Sequence, residues 1–264
     1  MKDIKNINIG FIGFGNMAQA MADGFLSRKV LAGEQIYACA GHFEKLQVNA
    51  ASRGIHACED ASAVVQASDI VIIAVKPYMI ETVLAPVLDL LKDKIMISVA
   101  AGWSFDKYEA LLKPGTHHLS IMPNTPVAIG EGVIVSEATH SLTNEEYAVV
   151  EKLLSGIAVV QAVESEHMGI AGTVAGCGPA FVSMFIEALA DAGVKHGLKR
   201  DVAYRLVSQM TAGTGKLQIA TGNHPGVMKD AVCSPGGTTI RGVAELERRG
   251  MRGAVIDAID AIEG

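Results

Sequence analysis

The segment that most restricts what this chain can become is Gly13-Phe14-Gly15-Asn16-Met17-Ala18, a GxGxxA run. Before it, residues 6–12 place Ile7, Ile9 and Phe11 at alternate positions, the spacing of a β-strand. After it, residues 16–28 repeat Met17, Ala20, Met21, Gly24 and Phe25 at helical spacing. A glycine loop between a strand and a helix is the setting of a dinucleotide-binding turn. Gly13 permits the tight turn, Gly15 lets a pyrophosphate approach the backbone, and Ala18 keeps the helix close to the strand. The free N–H groups and dipole of the helix start then favour phosphate. Phe14, Asn16 and Met17 complete this group of expected cofactor contacts.

The pattern continues as strands alternating with helices. Residues 35–40, 69–75 and 95–99 read as strands, and 60–67, 78–91 and 104–112 as helices, with Asp60 as a cap. Residues 69–75 are almost continuously apolar, as in a strand covered on both faces. This alternation predicts a parallel sheet with helices on both sides. Further strands are expected at 117–122, 132–136 and 157–163. Thr143 and Glu146 have the spacing of a capping box that opens a helix ending near Ser155. From Ser165 onward no strand is expected, and 181–196, 201–221 and 243–262 have helical period. The fold class is therefore α/β: a Rossmann-type dinucleotide-binding domain over residues 1–164, followed by an all-α domain over 165–264. The second part is short, apolar and rich in Ala and Gly, so its apolar faces are expected to close against a second copy as a homodimer.

Composition excludes several classes of function. Half of the 264 residues are hydrophobic and 19% are charged, which supports a packed core. The formal charge is −6, and no basic patch with interleaved aromatics occurs, so no nucleic-acid partner is expected. Residues 1–8 are polar and mixed in charge, unlike a leader, and no apolar run is read as reaching the roughly 20 residues of a membrane span. A cytoplasmic protein without a membrane partner is expected. Cys39, Cys58, Cys177 and Cys233 form neither a CxxC pair nor a zinc-like cluster, so free thiols and no metal are expected.

The dinucleotide fingerprint usually continues with an acid about 20 residues on, which binds the ribose 2′-hydroxyl. Here the second strand ends Ala38-Cys39-Ala40-Gly41-His42-Phe43, with no carboxylate. That favours NADP(H), with NAD(H) as a second donor, and makes His42 and Lys45 the nearest side chains to a 2′-phosphate.

Three more segments complete a pattern: Ala74-Val75-Lys76-Pro77, Met122-Pro123-Asn124-Thr125-Pro126, and Ser234-Pro235-Gly236-Gly237-Thr238-Thr239. With the glycine loop, in this order and spacing, they resemble the pyrroline-5-carboxylate reductase family over nearly the whole chain. The last segment is the most specific. The resemblance implies a Rossmann domain, a helical dimerisation domain and dimers that assemble further, often into decamers. It implies NAD(P)H-dependent reduction of the cyclic imine 1-pyrroline-5-carboxylate to L-proline, the last step of proline biosynthesis. It adds Ala74, Val75, Lys76, Pro77, Ala101, Gly102 and Asn124 to the cofactor contacts, and Val232, Cys233, Ser234, Gly236, Gly237 and Thr238 to the substrate contacts.

Physical chemistry agrees with these placements. Lys76-Pro77 and residues 122–126 follow predicted strands, at the sheet edge where ligands bind in open α/β folds. Gly236 and Gly237 expose amides at the start of a helix near Thr238, where a carboxylate needs no basic side chain. Thr238 is the expected partner of the ring nitrogen and relay for its proton; the bland alternative is a helix cap. Asn124 is read as a ribose contact or as a bond to a neighbouring loop, with a turn-forming asparagine as the bland alternative. Glu187, Lys76 and His224 are secondary catalytic candidates, and Cys233 has no partner pattern for a nucleophile. The chain departs from the family pattern at Ala61, at Ser120 and over residues 175–181, the last expected ahead of the first long helix. A related imine or β-hydroxyacid reductase, or an inactive cofactor-sensing homologue, are the alternatives.

Overall fold

The computed structural model describes residues 4–264; residues 1–3, the beginning of the stretch read as unlike a leader, lie outside the described residues. Eight strands form one sheet: β1 (Ile9–Ile12), β2 (Ile36–Cys39), β3 (His56–Ala57), β4 (Ile70–Ile73), β5 (Ile95–Ser98), β6 (His117–Pro123), β7 (Gly132–Glu137) and β8 (Ala158–Val163). Their order is β3-β2-β1-β4-β5-β6-β7-β8. Both faces of the sheet are covered, and side chains alternate between two cores. Ile70 and Ile72 of β4 join Phe11, Met21 and Phe25 on one side, while Val71 and Ile73 join Ile80, Leu84 and Tyr108 on the other. This explains the unbroken apolar run in β4.

The sheet is mixed, which corrects the expectation of a parallel one. Neighbouring strands are parallel except β6 and β7, which pair antiparallel, Met122 opposite Val135. Their connection is a short 3-10 turn, Thr125–Ile129, ended by Gly130 at φ 74°. A parallel crossover needs about a dozen residues or more.

The first helices are α1 (Asn16–Ser27), α2 (Phe43–Ala51), α3 (Ala61–Ala67), α4 (Ile80–Leu84), α5 (Phe105–Leu111) and α6 (Asn144–Ser155). The predicted caps form. The Asp60 side chain accepts the Ala63 amide at 2.8 Å, and Thr143 and Glu146 bond reciprocally. The helix expected over 78–91 is reduced to α4, flanked by 3-10 turns at Pro77–Met79, Ala85–Val87 and Leu91–Asp93. Pro86 interrupts it by removing an amide hydrogen and crowding the preceding turn.

Beyond β8 the described chain is helical: α7 (Met168–Lys195), α8 (Arg200–Thr221), α9 (Pro225–Ala231), α10 (Thr238–Arg248) and α11 (Met251–Glu263). The helix expected over 181–196 begins much earlier. α7 runs through Gly172, Gly176, Gly178 and Pro179, residues that read as breakers in isolation. Pro179 cannot donate to the Ala175 carbonyl one turn back. That carbonyl instead accepts the Asn124 Nδ2 amide at 3.0 Å, so no acceptor is orphaned. The helix expected over 243–262 is divided into α10 and α11 at Gly250, where φ is 76°. The unbroken α7 also overturns the expectation that no segment has membrane length. Ser165–Lys195 is long and apolar enough to cross a membrane by length and composition.

The chain divides into two compact units, one ending at Pro179 and the other Ala180–Gly264. The first contains both cores. In the second, Ala190 and Ala203 are the buried hydrophobics among the described residues, whereas Met184, Leu206, Ile219 and Ile256 are exposed.

β6 carries a buried histidine with a thermodynamic consequence. His118 is fully inaccessible, with Nε2 2.8 Å from Glu109 Oε1. Burial lowers its pKa from the ordinary 6.5, and Glu109 opposes the shift. The unfolded chain therefore takes up more protons than the folded one as the pH falls below about 6.5, and folding stability declines with it. In urea unfolding followed from neutral pH down to about 5.5, His118→Asn is expected to lose stability less steeply than the wild type.

Candidate active site

Strands β2, β1, β4, β5 and β6 run parallel, so the loops after them leave from one edge of the sheet. β1 has β2 on one side and β4 on the other, which makes the space beyond its end a topological switch point, where open α/β sheets bind ligands. The glycine loop occupies that point. The Gly13 amide donates to Cys39 O at 3.0 Å, and the Ala74 amide to Ile12 O at 2.8 Å. At Gly13 φ is 93°, and a Cβ there would lie 2.7 Å from both Ala74 O and Val75 Cγ1. The loop after β1 thus abuts the loop after β4.

Gly15 is different: it is exposed, its φ is −80°, and a Cβ there would meet nothing within 4 Å. It is the N-cap of α1 and has no side-chain bond to the helix start. The first amides of α1 remain available to an anion, beside a space that a side chain would fill. Phe14 is buried, its ring centroid 5.9 Å from that of Phe11 in a T-shaped pair and 5.9 Å from the Arg53 guanidinium carbon over its face, so it anchors the loop from below. Asn16 is exposed and Met17 half-buried. After β2, His42 is the exposed N-cap of α2 and Lys45 is exposed in its first turn, with no carboxylate between Cys39 and Phe43. These features fit a phosphorylated dinucleotide.

Ala74 and Val75 are half-buried, while Lys76 and Pro77 are exposed. Beyond β5, Ala101 and Gly102 are exposed, and Gly102 has φ 76°. Several buried groups shape this loop from behind. Ser98 Oγ accepts the Ala100 amide at 3.2 Å and shares a hydrogen at 2.5 Å with Tyr108 OH, whose pKa burial pushes up to about 12. The buried Glu137 carboxylate receives the Phe105 amide at 3.0 and 3.2 Å, holding the start of α5. Ser120 Oγ donates to Trp103 O at 3.2 Å, and Trp103 Nε1 donates to Pro77 O at 3.1 Å. Sequence reasoning missed Ser98, Trp103 and Glu137, and met Ser120 only as a departure. The available signal was that the chain's single tryptophan directly follows Ala101-Gly102.

Asn124 lies at the same edge but faces inward. Its Oδ1 accepts the Val133 amide at 2.9 Å, its Nδ2 holds Ala175 O, and 7% of the residue is exposed. Of its expected roles, the structure shows the bonds to neighbouring segments and the turn, since Asn124 O accepts the Val127 amide at 3.2 Å at the start of Thr125–Ile129. The departure at 175–181 lies inside α7, not ahead of it. Ala61 opens α3 under the Asp60 cap.

In the second unit, residues 232–237 join α9 to α10. Val232 and Ser234 are exposed and Cys233 half-buried. The Gly237 amide donates to Ser234 O at 3.0 Å, and Gly236 turns with φ 67°. A Cβ on Gly237 would lie 2.3 Å from Ser234 Oγ, a rotatable hydroxyl, and 3.1 Å from Ser234 O, so a side chain there requires the serine to turn away. Gly237, not Thr238, is the N-cap of α10, and it leaves the helix start without a side-chain cap. Thr238 is the first helical residue and is exposed, and its hydroxyl has no partner among the described residues. Two secondary candidates have plainer places. His224 Nδ1 accepts the Gly226 amide at 3.1 Å and caps α9, and Glu187 is exposed on α7. All four cysteines are free, and burial pushes the Cys39 thiol up to about 11. Among the described residues no cluster of His, Cys, Asp or Glu forms a metal cage.

Residues 165–263 match the family model described as pyrroline-5-carboxylate reductase dimerisation, and residues 8–102 that described as NADP oxidoreductase coenzyme F420-dependent. The chain is 47% identical to pyrroline-5-carboxylate reductase of Treponema pallidum (strain Nichols), covering 97% of this chain and 98% of that protein. It is 38% identical to the Escherichia coli (strain K12) pyrroline-5-carboxylate reductase over 95% of this chain and 94% of the relative. The crystal structure of Plasmodium falciparum pyrroline carboxylate reductase with NADP bound superposes with a TM-score of 0.88, at 28% identity, covering 98% of this chain and 97% of that one.

The two glycines separate folding from ligand binding. Gly13→Ala meets a backbone oxygen at a positive φ, and urea unfolding is expected to show a loss of about 1–3 kcal/mol. Gly15→Ala, with open space and an ordinary φ, is expected to cost less, at most about 1 kcal/mol, since an N-cap favours glycine over alanine while the unfolded chain loses some freedom.

Proposed function

The chain belongs to the pyrroline-5-carboxylate reductase family, and from that premise we propose that it reduces the cyclic imine of 1-pyrroline-5-carboxylate to L-proline with NADPH as donor. The observation that carries the proposal is the uncapped start of α1 at the β1/β4 switch point, with open space beside Gly15. When bound, NADPH supplies the hydride taken up by the imine carbon.

The chain's own residues bind and orient. Gly13, whose own amide is taken by Cys39 O, turns the chain so that the amides of Phe14, Gly15, Asn16 and Met17 hold the pyrophosphate, and His42 meets the 2′-phosphate. A carboxylate after β2 would repel that phosphate, and none is present, so NADPH is preferred to NADH. Ala74, Val75, Lys76, Pro77, Ala101 and Gly102 border the rest of the dinucleotide, while Asn124 supports them from beneath through Val133 and Ala175. Gly236 and Gly237 present the α10 start to the substrate carboxylate, within a loop completed by Val232, Cys233 and Ser234. The unpartnered Thr238 hydroxyl bonds the ring nitrogen and passes it a proton from water, since a threonine is a poor acid by itself.

The protein is a homo-oligomer. We take the dimer as its unit and the decamer as its larger assembly, in a cytoplasmic setting. The exposed apolar faces of the second unit, with the length of α7, are then covered by a partner copy and not by lipid. We take the functional division between residues 164 and 165; the matched dimerisation segment, residues 165–263, supports that reading.

NADPH consumption on addition of pyrroline-5-carboxylate, with hydroxyacids and ketoacids inert, is the expected assay result; no consumption with the imine would remove the proposal. Thr238→Ala is expected to lower kcat/KM about tenfold or more with NADPH affinity intact. Gly15→Ala is expected to weaken NADPH binding at least about tenfold, because its methyl group fills the space beside the helix start.

A further inference from the structure

Two loops assigned above to the dinucleotide leave neighbouring strands: residues 74–77 after β4 and residues 99–104 after β5. Within the second loop the Trp103 amide closes a turn onto Ala100 O at 3.3 Å and Lys107 Nζ reaches Gly102 O at 2.5 Å, with Ala101 exposed and Gly102 at φ 76°. Trp103 is the residue of this loop that ties it to the loop after β4. Its indole Nε1 reaches across to donate to Pro77 O at 3.1 Å, while its own carbonyl accepts Ser120 Oγ at 3.2 Å. Its ring packs at 5.0 Å and 42° against the buried Tyr108, which is itself bonded to Ser98. Pro77 O also accepts the Ile80 amide that closes the 3-10 turn Pro77–Met79. Both lone pairs of that carbonyl are therefore used, one within its own loop and one by the tryptophan.

We propose that Trp103 is a positioning residue for NADPH: its indole N–H ties the loop after β5 to the loop after β4 and fixes both in the shape that accepts the dinucleotide. This rests on the cofactor assignment made above. Trp103 is half-buried at the edge of a core already filled by Tyr108, Ile73 and Ile80, so folding does not depend on its hydrogen bond. What the bond supplies is order in two exposed segments before the ligand arrives. Without it, NADPH binding must itself order them, and affinity falls. Phenylalanine in this position keeps an aromatic ring but has no donor, so shape and hydrogen bond can be told apart.

The chain has one tryptophan, so full-length protein made in a tryptophan auxotroph fed β-(3-benzothienyl)alanine carries sulfur in place of that single indole N–H. This protein and Trp103→Phe are compared with wild type by calorimetric titration with NADPH, by thermal unfolding without ligand, and by steady-state kinetics. Both are expected to bind NADPH roughly five- to tenfold more weakly, the factor for one lost hydrogen bond. KM for NADPH rises in parallel, kcat at saturation changes less than about twofold, and the ligand-free unfolding temperature stays within about 2 °C. The sulfur analogue keeps the test decisive if Trp103→Phe folds poorly. Wild-type affinity in the analogue overturns the proposal, and so does a loss of affinity matched by a loss of ligand-free stability. A wild-type chain that binds no NADPH overturns the cofactor assignment as well, which separates that failure from this one.

Discussion

The backbone at Gly13 is the constraint from which the first unit is built. β1 is flanked on both sides by parallel strands, and α1 must return at once to lay Met21 and Phe25 on the sheet. The turn that does this passes against the Ala74 carbonyl, with no room for a side chain. One positive φ therefore sets the departure of α1, its distance from β4, and the direction in which its first amides point. The loops after β2, β4, β5 and β6 leave from the same edge because their strands are parallel to β1 or to its neighbours.

Local chemistry was legible in the sequence wherever a short segment decided the outcome. Asp60 caps α3, Thr143 and Glu146 box α6, and the apolar run at residues 70–73 is a strand buried on both faces. The glycine loop was readable for the same reason. The misreadings fall where distant segments or single breakers prevail. Pro86 cuts short a helical pattern that looked continuous, and Gly250 divides another. Pro179 does the reverse: it looks like a stop, yet α7 continues through it because a side chain from β6's end serves the freed carbonyl. The bond from Trp103 to Pro77 joins two loops with no shared pattern, so no periodicity announces it. At the loop before α10, glycine spacing alone left a plain cap at Thr238 as the simpler reading, and the family resemblance carried the expectation of an open helix start; which residue caps α10 depended on the backbone itself.

The two units differ in how they satisfy the hydrophobic effect. The first closes two cores around a sheet and needs no help. The second presents Met184, Leu206, Ile219 and Ile256 to its surroundings while burying little more than Ala190 and Ala203 among its hydrophobics. Helices with so much uncovered apolar surface are stable only against a further layer. Composition alone made α7 resemble a lipid-spanning segment, since the covering of a helix by a partner and by a bilayer draw on similar residues. The matched dimerisation family bears on the first of these two coverings, where hydropathy bears on neither.

The link among Asn124, Ala175 and Pro179 has an evolutionary side. Proline withdraws a donor from the helix and asparagine returns one from the sheet edge, so asparagine makes the proline tolerable. The dependence runs one way: losing Asn124 while Pro179 stays leaves the Ala175 carbonyl without its donor, whereas a residue with an amide hydrogen at 179 only adds a second bond to a carbonyl that has two lone pairs. A lineage leaving this arrangement therefore has an order to follow, the proline first and the asparagine, far away along the chain, only afterwards.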